Sequence, residues 1–214
     1  DQLPSERELS RAFSISHMTT RQALTALVDE GLVRRERGRG TFVADPKIHK
    51  PLSSLTSFTE FMRSTGKRPG ARVLRLEQEP APPNVCEALD LAPGQLVVVI
   101  ERLRTADDED LGVERSHLYF PGYEQLLHED LTGSLYQLLR SNYGIIPSRA
   151  EESIEAVSCP PREAKLLGVR AGSPALHIVR CTFSQDDRAI EVVESIYRGD
   201  KYIIHARLTG GMPA

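Results

Sequence analysis

Two arginines and several polar side chains on neighbouring predicted strands are the residues best suited to hold a charged small molecule. Arg102 and Arg104 are two residues apart, so they lie on one face of a strand, whereas Glu114, Glu191 and Tyr197 lie on other strands. Arginine forks match phosphate oxygens, carboxylates accept hydrogen bonds from hydroxyl groups, and a tyrosine ring can cover an apolar ring face. The spacing also fits an ordinary cross-strand ion pair between Arg102 and Glu114, so both interpretations stay open.

Two predicted helix starts offer backbone N–H groups and hydroxyls that suit an anion. They are the segments 56–59 and 132–136, each rich in Ser and Thr. Helix N-termini bind phosphate readily, but plain helix capping explains either segment taken alone.

An internal repeat positions these residues. A helix, a glycine and a β-hairpin occur once over residues 88–114 and again over residues 166–191. In this alignment Arg102 corresponds to Arg180, and Glu114 corresponds to Glu191. Two such hairpins can form one antiparallel sheet around a pseudo-twofold axis, which brings corresponding side chains together.

The N-terminal segment has the pattern of a helix-turn-helix. Ser5 and Glu8 form a capping box before a short helix, and Ser16 caps a second helix that we predict over 17–29. An apolar stripe of Leu9, Ala12 and Phe13 marks the core face of the first helix.

A basic hairpin follows these two helices directly. Short strands at 32–33 and 41–43 flank a turn that contains Arg37, Gly38 and Arg39. Alone, such a hairpin is most simply a solvated turn. Directly after a helix-turn-helix it predicts a wing whose arginines reach phosphates or a groove.

The composition agrees with a two-domain protein. The chain has 214 residues, 40% of them hydrophobic, and a net charge of −3, so a DNA-binding surface must be local. The three cysteines have no paired spacing, and no apolar run spans a membrane, which favours a cytoplasmic protein with reduced thiols.

The N-terminal pattern resembles the GntR family of bacterial transcription regulators. The resemblance rests on the strings LPSEREL (3–9), ISHMTTRQAL (15–24), GLV (31–33) and GRGTFV (38–43). It implies that Arg7 and His17 approach base edges. It also implies that phosphates and the groove are held by Ser5, Thr19, Arg21, Arg37, Gly38 and Arg39.

Two departures from the family pattern bear on DNA recognition. His17 stands where close relatives usually have Arg, and histidine cannot form the bidentate arginine–guanine contact, so we expect a different operator or affinity. The family's first helix would precede Leu3, so we expect an incomplete winged-helix core and weak DNA binding.

Residues 52–208 resemble the effector domain of the histidine-utilisation-repressor branch of that family, whose fold is similar to chorismate lyase. The strings LTSFTE (55–60), IPSRA (146–150) and SIYRGDKY (195–202) carry this resemblance, which is strongest to members that regulate amino-sugar utilisation. It implies an effector such as glucosamine-6-phosphate or N-acetylglucosamine-6-phosphate. The phosphate would be held by Ser57, Phe58, Thr59, Arg102, Arg104, Ser134 and Tyr136, and the sugar by Glu114, Glu191 and Tyr197.

The sequence therefore predicts an α+β repressor with a winged helix-turn-helix over 1–43, a linker over 44–53 and an antiparallel-sheet effector domain over 54–214. We expect a homodimer that binds an operator in double-stranded DNA and needs no cofactor or metal. One alternative is a regulator of this type that senses another sugar phosphate or an organic acid. A chorismate-lyase-like enzyme is a remote alternative, because no metal cluster or nucleophile–His pair is visible.

Overall fold

The computed structural model describes residues 1–29, 32–36, 38–43 and 47–208, and it divides into two compact units, 1–48 and 49–214. Arg37 and part of the predicted linker therefore lie outside the described residues. Strand β3 (Ile48–Pro51) falls within the segment that the sequence assigns to the linker. The domain limits given above stay a prediction.

The first unit contains the two predicted helices and the hairpin. Helix α1 spans Glu6–Ala12, with the capping box of Ser5 and Glu8 confirmed, and helix α2 spans His17–Asp29. Strands β1 (Val33–Glu36) and β2 (Gly40–Val43) pair in antiparallel register.

Two local features of this unit differ from the sequence expectations. The Leu3 amide donates to the Thr41 carbonyl at 2.7 Å, so the N-terminal residues run beside β2, which the sequence did not predict. Ala12 and Phe13, both assigned to the core stripe of α1, are exposed, Phe13 by 69%. Helical spacing of apolar residues does not by itself ensure that another element covers them.

A six-stranded antiparallel sheet is the centre of the second unit. Its strand order is β4-β5-β6-β9-β8-β7, and β10 pairs with β3 in a separate two-stranded sheet. The strand bounds are β4 Pro69–Pro80, β5 Leu96–Ala106, β6 Glu109–Leu118, β7 Pro147–Ser158, β8 Pro174–Ser184, β9 Ala189–Arg198 and β10 Tyr202–His205. The helix bounds are α3 Phe58–Ser64, α4 Pro83–Leu89, α5 Leu135–Tyr143 and α6 Pro161–Leu166, with a 3-10 helix at Tyr123–His128. The predicted α+β class is confirmed.

The order of elements repeats across the pair β6–β9. The elements α3, β4, α4, β5 and β6 recur as α5, β7, α6, β8 and β9. Arg102 and Arg180 hold equivalent positions, each the seventh residue of its strand. The predicted equivalence of Glu114 and Glu191 is wrong, because Glu114 pairs with Arg102 whereas Glu191 pairs with Thr182. The loop after β8 is longer than the turn after β5, which shifts the register of the second hairpin.

Apolar side chains cover both faces of the sheet. On one face, Ile100 and Leu118 pack against Leu135 and Leu139 of α5. On the other face, α4 and α6 belong to two separate buried clusters, each of which includes residues from both halves of the sheet. Burial on both faces fixes the register of the central strands.

Leu118→Ala should lower the free energy of unfolding of the second unit by about 3 kcal/mol, because the fully buried side chain would leave a cavity. Leu96→Ala is the control: Leu96 is 41% exposed, and its loss should cost less than about 1 kcal/mol. Denaturant unfolding followed by circular dichroism measures both. Equal losses would contradict the assigned core.

Candidate functional site

Arg102 and Arg104 lie side by side on β5 with their guanidinium groups inside the second unit. They are 4% and 2% exposed. Two buried cations this close are costly unless anions or strong acceptors compensate them. Their surroundings therefore decide what the site can bind.

Glu114 on β6 is the counter-ion that these arginines share. One of its oxygens, Oε2, lies 3.5 Å from Arg102 Nη2 and 3.5 Å from Arg104 Nε. Burial would raise the pKa of Glu114, but Arg104 and Arg102 together lower it below its usual value. The cross-strand pair expected from spacing is thus present, and one carboxylate faces two guanidinium groups.

Several guanidinium N–H groups keep unused hydrogen-bonding capacity. Arg102 Nε, Arg104 Nε and Arg104 Nη1 are buried and have no hydrogen-bond partner among the described residues. Arg104 Nη2 donates to Thr59 Oγ1 at 3.2 Å. Unpaired buried donors on a charged group cost more free energy than those on a neutral group, and an acceptor with several oxygens would satisfy these donors.

The two helix starts singled out in the sequence meet beside these arginines. Ser57 and Ser134 are the N-cap residues of α3 and α5, and Ser134 Oγ donates to Ser57 Oγ at 3.2 Å. Each hydroxyl also accepts an amide hydrogen bond of its own helix, from Glu60 and Gln137. Both capping roles are real, and the internal repeat brings the two caps to one place.

Aromatic rings close the site on another side. The Phe58 ring lies 4.3 Å from the Arg104 guanidinium and is stacked on Tyr197 at 6.3 Å. Tyr197 Oη donates to Glu114 at 2.5 Å. Burial, followed by the negative charge of Glu114, raises the pKa of Tyr197, so its phenol stays protonated and remains a donor.

Glu191 is part of a second polar group within the same site. Tyr136 Oη is 3.0 Å from Thr182 Oγ1, which donates to Glu191 at 3.3 Å. Glu191 is 2% exposed, and burial raises its pKa. Its carboxyl therefore carries less negative charge at a given pH than an exposed carboxylate.

Three charged residues that the sequence did not assign to the site also line it. They are Lys50 on β3, Glu152 on β7 and Arg180 on β8. In the sequence, Arg180 stood out only as the repeat partner of Arg102, so the repeat was the one signal that pointed to it. Lys50 lies in the predicted linker and Glu152 in a strand that was not predicted, so neither carried a sequence signal.

The enclosed space is divided and small. One cavity of about 40 Å³ lies beside Arg102 and Arg104, and a second of about 30 Å³ lies beside Lys50, with Phe58 and Glu114 in the walls of both. Such volumes fit single water molecules, whereas sites for small ligands have about 300–1,000 Å³. Binding of a metabolite therefore requires side chains between the cavities to move.

The expected DNA-reading side chains lie on the surface of the first unit. Arg7 on α1 and His17 and Arg21 on α2 are exposed. Ser5 and Thr19 are also exposed, but their hydroxyls already bond to Glu8 and Ser16. Gly38 and Arg39 lie in the hairpin turn, where Gly38 has φ +78°, while Arg37 lies outside the described residues.

Two family profiles match the chain along its length. Residues 1–43 match "Bacterial regulatory proteins, gntR family" and residues 64–203 match "UTRA domain". The chain belongs to the GntR family. It is a DNA-binding transcription repressor with a UTRA effector domain, and members of this family bind DNA operators and small-molecule effectors rather than catalysing a reaction.

Individual relatives agree with this assignment. The transcriptional repressor NagR of Bacillus subtilis is 40% identical over 200 residues, which cover 94% of this chain and 82% of NagR. The transcriptional repressor PhnF of Mycolicibacterium smegmatis is 36% identical over 214 residues, which cover 97% of this chain and 86% of PhnF. The crystal structure of PhnF has a TM-score of 0.74 at 35% identity, covering 99% of this chain and 93% of that chain.

Among the described residues, no group of three or more His, Cys, Asp or Glu side chains could hold a metal ion. None of the described helices is both long enough and apolar enough to cross a membrane.

Gly112→Ala should displace Tyr197 from Glu114. A Cβ atom at Gly112 would lie 2.5 Å from Tyr197 Cδ1, closer than real contacts allow, so the ring must shift and its hydrogen bond weakens. We expect a stability loss of roughly 1–3 kcal/mol, measured by thermal unfolding. Gly133→Ala, where a Cβ meets nothing within 4 Å, is the control. Equal melting temperatures for the two variants would show that Tyr197 is not held as described.

Proposed function

We propose that the second unit binds a phosphorylated amino sugar, glucosamine-6-phosphate or N-acetylglucosamine-6-phosphate, and that binding controls operator affinity. The observation that carries this proposal is the pair Arg102 and Arg104, buried with three nitrogen atoms that have no hydrogen-bond partner among the described residues. A phosphate group has the charge and the several oxygens that such donors require.

The charge of the cavity lining supports an anionic effector. Among the described residues that line the two cavities, four are cations and three are carboxylates. Burial also raises the pKa of Glu191. The cations are Lys50, Arg102, Arg104 and Arg180, and the carboxylates are Glu114, Glu152 and Glu191.

The phosphate would lie between the arginines and the two helix starts. Residues 57–59 and Tyr136 line the cavity beside the arginine pair, and Ser134 is hydrogen-bonded to Ser57. Glu114, Glu191 and Tyr197 are then left for the sugar hydroxyls or the amino nitrogen. The resemblance to NagR, a relative that is 40% identical, supports an amino sugar over other sugar phosphates.

Arg102→Ala and Arg104→Ala should each weaken sugar-phosphate binding about 100-fold, because each removes charge-assisted hydrogen bonds of about 1.5–3 kcal/mol apiece. Arg104→Lys keeps the charge but loses the fork, and should also bind weakly. Calorimetry with both sugar phosphates measures the affinities. Arg72→Ala, an exposed arginine opposite Leu103, is the control.

Calorimetry also separates the remaining candidates. Unchanged affinity in both alanine variants would refute the phosphate clamp. Binding of an organic acid or of another sugar phosphate in place of the amino sugars would leave a GntR-type regulator with a different effector.

We infer that the first unit reads DNA through Arg7 and His17, with Ser5, Thr19, Arg21 and the hairpin turn on phosphates. The exposed positions of Arg7 and His17 on two successive helices support this assignment. A homodimer would present two such units to a palindromic operator.

Arg7→Ala should weaken operator binding by about 1–3 kcal/mol and relax preference at one base position. His17→Arg should instead introduce a preference for guanine at one position. Selection from a random duplex library, followed by fluorescence anisotropy at fixed salt, measures both. Unchanged base preference in both variants would contradict the assigned reading residues.

A further inference from the structure

The side chain of Lys50, on strand β3, lines the cavity of about 30 Å³. It lies on β3 two residues after Ile48, where the first compact unit ends, and its side chain is 13% exposed. Its neighbour His49 on the same strand is exposed. The strand therefore turns one basic residue into the cavity and the other to the solvent.

The anion that Lys50 faces is shared with a second cation. Lys50 Nζ donates to Glu152 Oε1 at 3.3 Å, and Arg180 Nη2 donates to both oxygens of Glu152 at 3.1 and 3.2 Å. Glu152 therefore pairs with two cations, and Glu114 is the other carboxylate that lines this cavity. A lysine ammonium has three donors, so a ligand oxygen can be added without breaking the existing pair.

The electrostatic surroundings of Lys50 favour a further acceptor. Burial, followed by the charge of Arg180, lowers the pKa of Lys50, and Glu152 and Glu114 offset only part of the effect. An oxygen acceptor brought by a ligand would stabilise the charged ammonium.

The cavity wall at this end is tied to the strand pair β3–β10. Tyr202 of β10 lines the same cavity as Lys50, and the Leu52 amide donates to the His205 carbonyl at 3.0 Å. Lys50 therefore lies on a strand pair that forms part of the cavity wall.

We propose that Lys50 binds the end of the effector remote from the arginine pair and thereby couples occupancy of the cavity to strand β3. This inference rests on the proposed function. It adds Lys50 as a residue that contacts the ligand, and Lys50 lies on strand β3, which would transmit the signal. The distal ligand group is an oxygen acceptor, a hydroxyl or a carbonyl of the sugar. The arginine pair fixes the phosphate, and Lys50 fixes the order of β3.

The test uses the whole protein and compares Lys50→Met with His49→Gln. Met keeps most of the length of the lysine stem and removes its charge, and His49→Gln changes the exposed neighbour on the same strand. Calorimetry with glucosamine-6-phosphate and N-acetylglucosamine-6-phosphate gives the affinity. Hydrogen exchange of a peptide covering residues 47–54, read by mass spectrometry, reports the order of β3 with and without each ligand.

In the wild type and in His49→Gln we expect either sugar phosphate to slow exchange of β3. In Lys50→Met we expect about tenfold weaker binding, because one charge-assisted hydrogen bond is lost. At saturating ligand, we expect this variant to lose most of the ligand-induced slowing of hydrogen exchange in β3. Lys50→Met that binds within twofold of wild type and shows the full slowing would overturn the proposal.

A ligand-free comparison separates this proposal from the proposed function. If the wild type binds neither sugar phosphate, the amino-sugar assignment fails, and the exchange rates without ligand decide the role of Lys50. We expect faster exchange of residues 47–54 in Lys50→Met than in His49→Gln, because the pair with Glu152 anchors β3. Equal rates in the two ligand-free variants would overturn the anchoring role.

Discussion

The burial of two adjacent guanidinium groups is the constraint on which the effector unit depends. Arg102 and Arg104 sit on a central strand with one carboxylate, Glu114, at 3.5 Å from each. That single counter-ion leaves three buried nitrogen atoms without a hydrogen-bond partner among the described residues. A protein that only needed a stable core would gain from apolar residues at these positions, so the arrangement is best explained by a ligand that supplies the missing acceptors.

The internal repeat explains why the site lies where it does. Corresponding halves of the sheet meet at β6 and β9, and the helices that precede each half bring Ser57 and Ser134 within 3.2 Å of each other. The symmetry is incomplete, since the shifted register of the second hairpin places Glu191 opposite Thr182. An asymmetric ligand with a phosphate at one end and hydroxyls at the other suits such an imperfect pair of halves.

Much of the fold could be predicted from local sequence signals. The capping box of Ser5 is present as expected, and the predicted helix start within 56–59 is confirmed, with Ser57 as the N-cap of α3. The alternation of β5 predicted that Arg102 and Arg104 share a face, and the internal repeat pointed to Arg180 on β8. Strand β7 was not predicted because it is an edge strand whose exposed charges break the apolar alternation. Lys50 was missed because a four-residue strand between units has no periodic signal, and its role depends on tertiary contacts with Glu152.

The most direct measurement of the central claim is a crystal structure of the protein with glucosamine-6-phosphate. The account predicts phosphate oxygens within hydrogen-bond distance of Arg104 Nη1 and of Arg102, with Phe58 moved so that the two small cavities join into one. A structure in which both guanidinium groups kept only Glu114 and Thr59 as partners, with the sugar phosphate bound elsewhere or absent at saturating concentration, would contradict it.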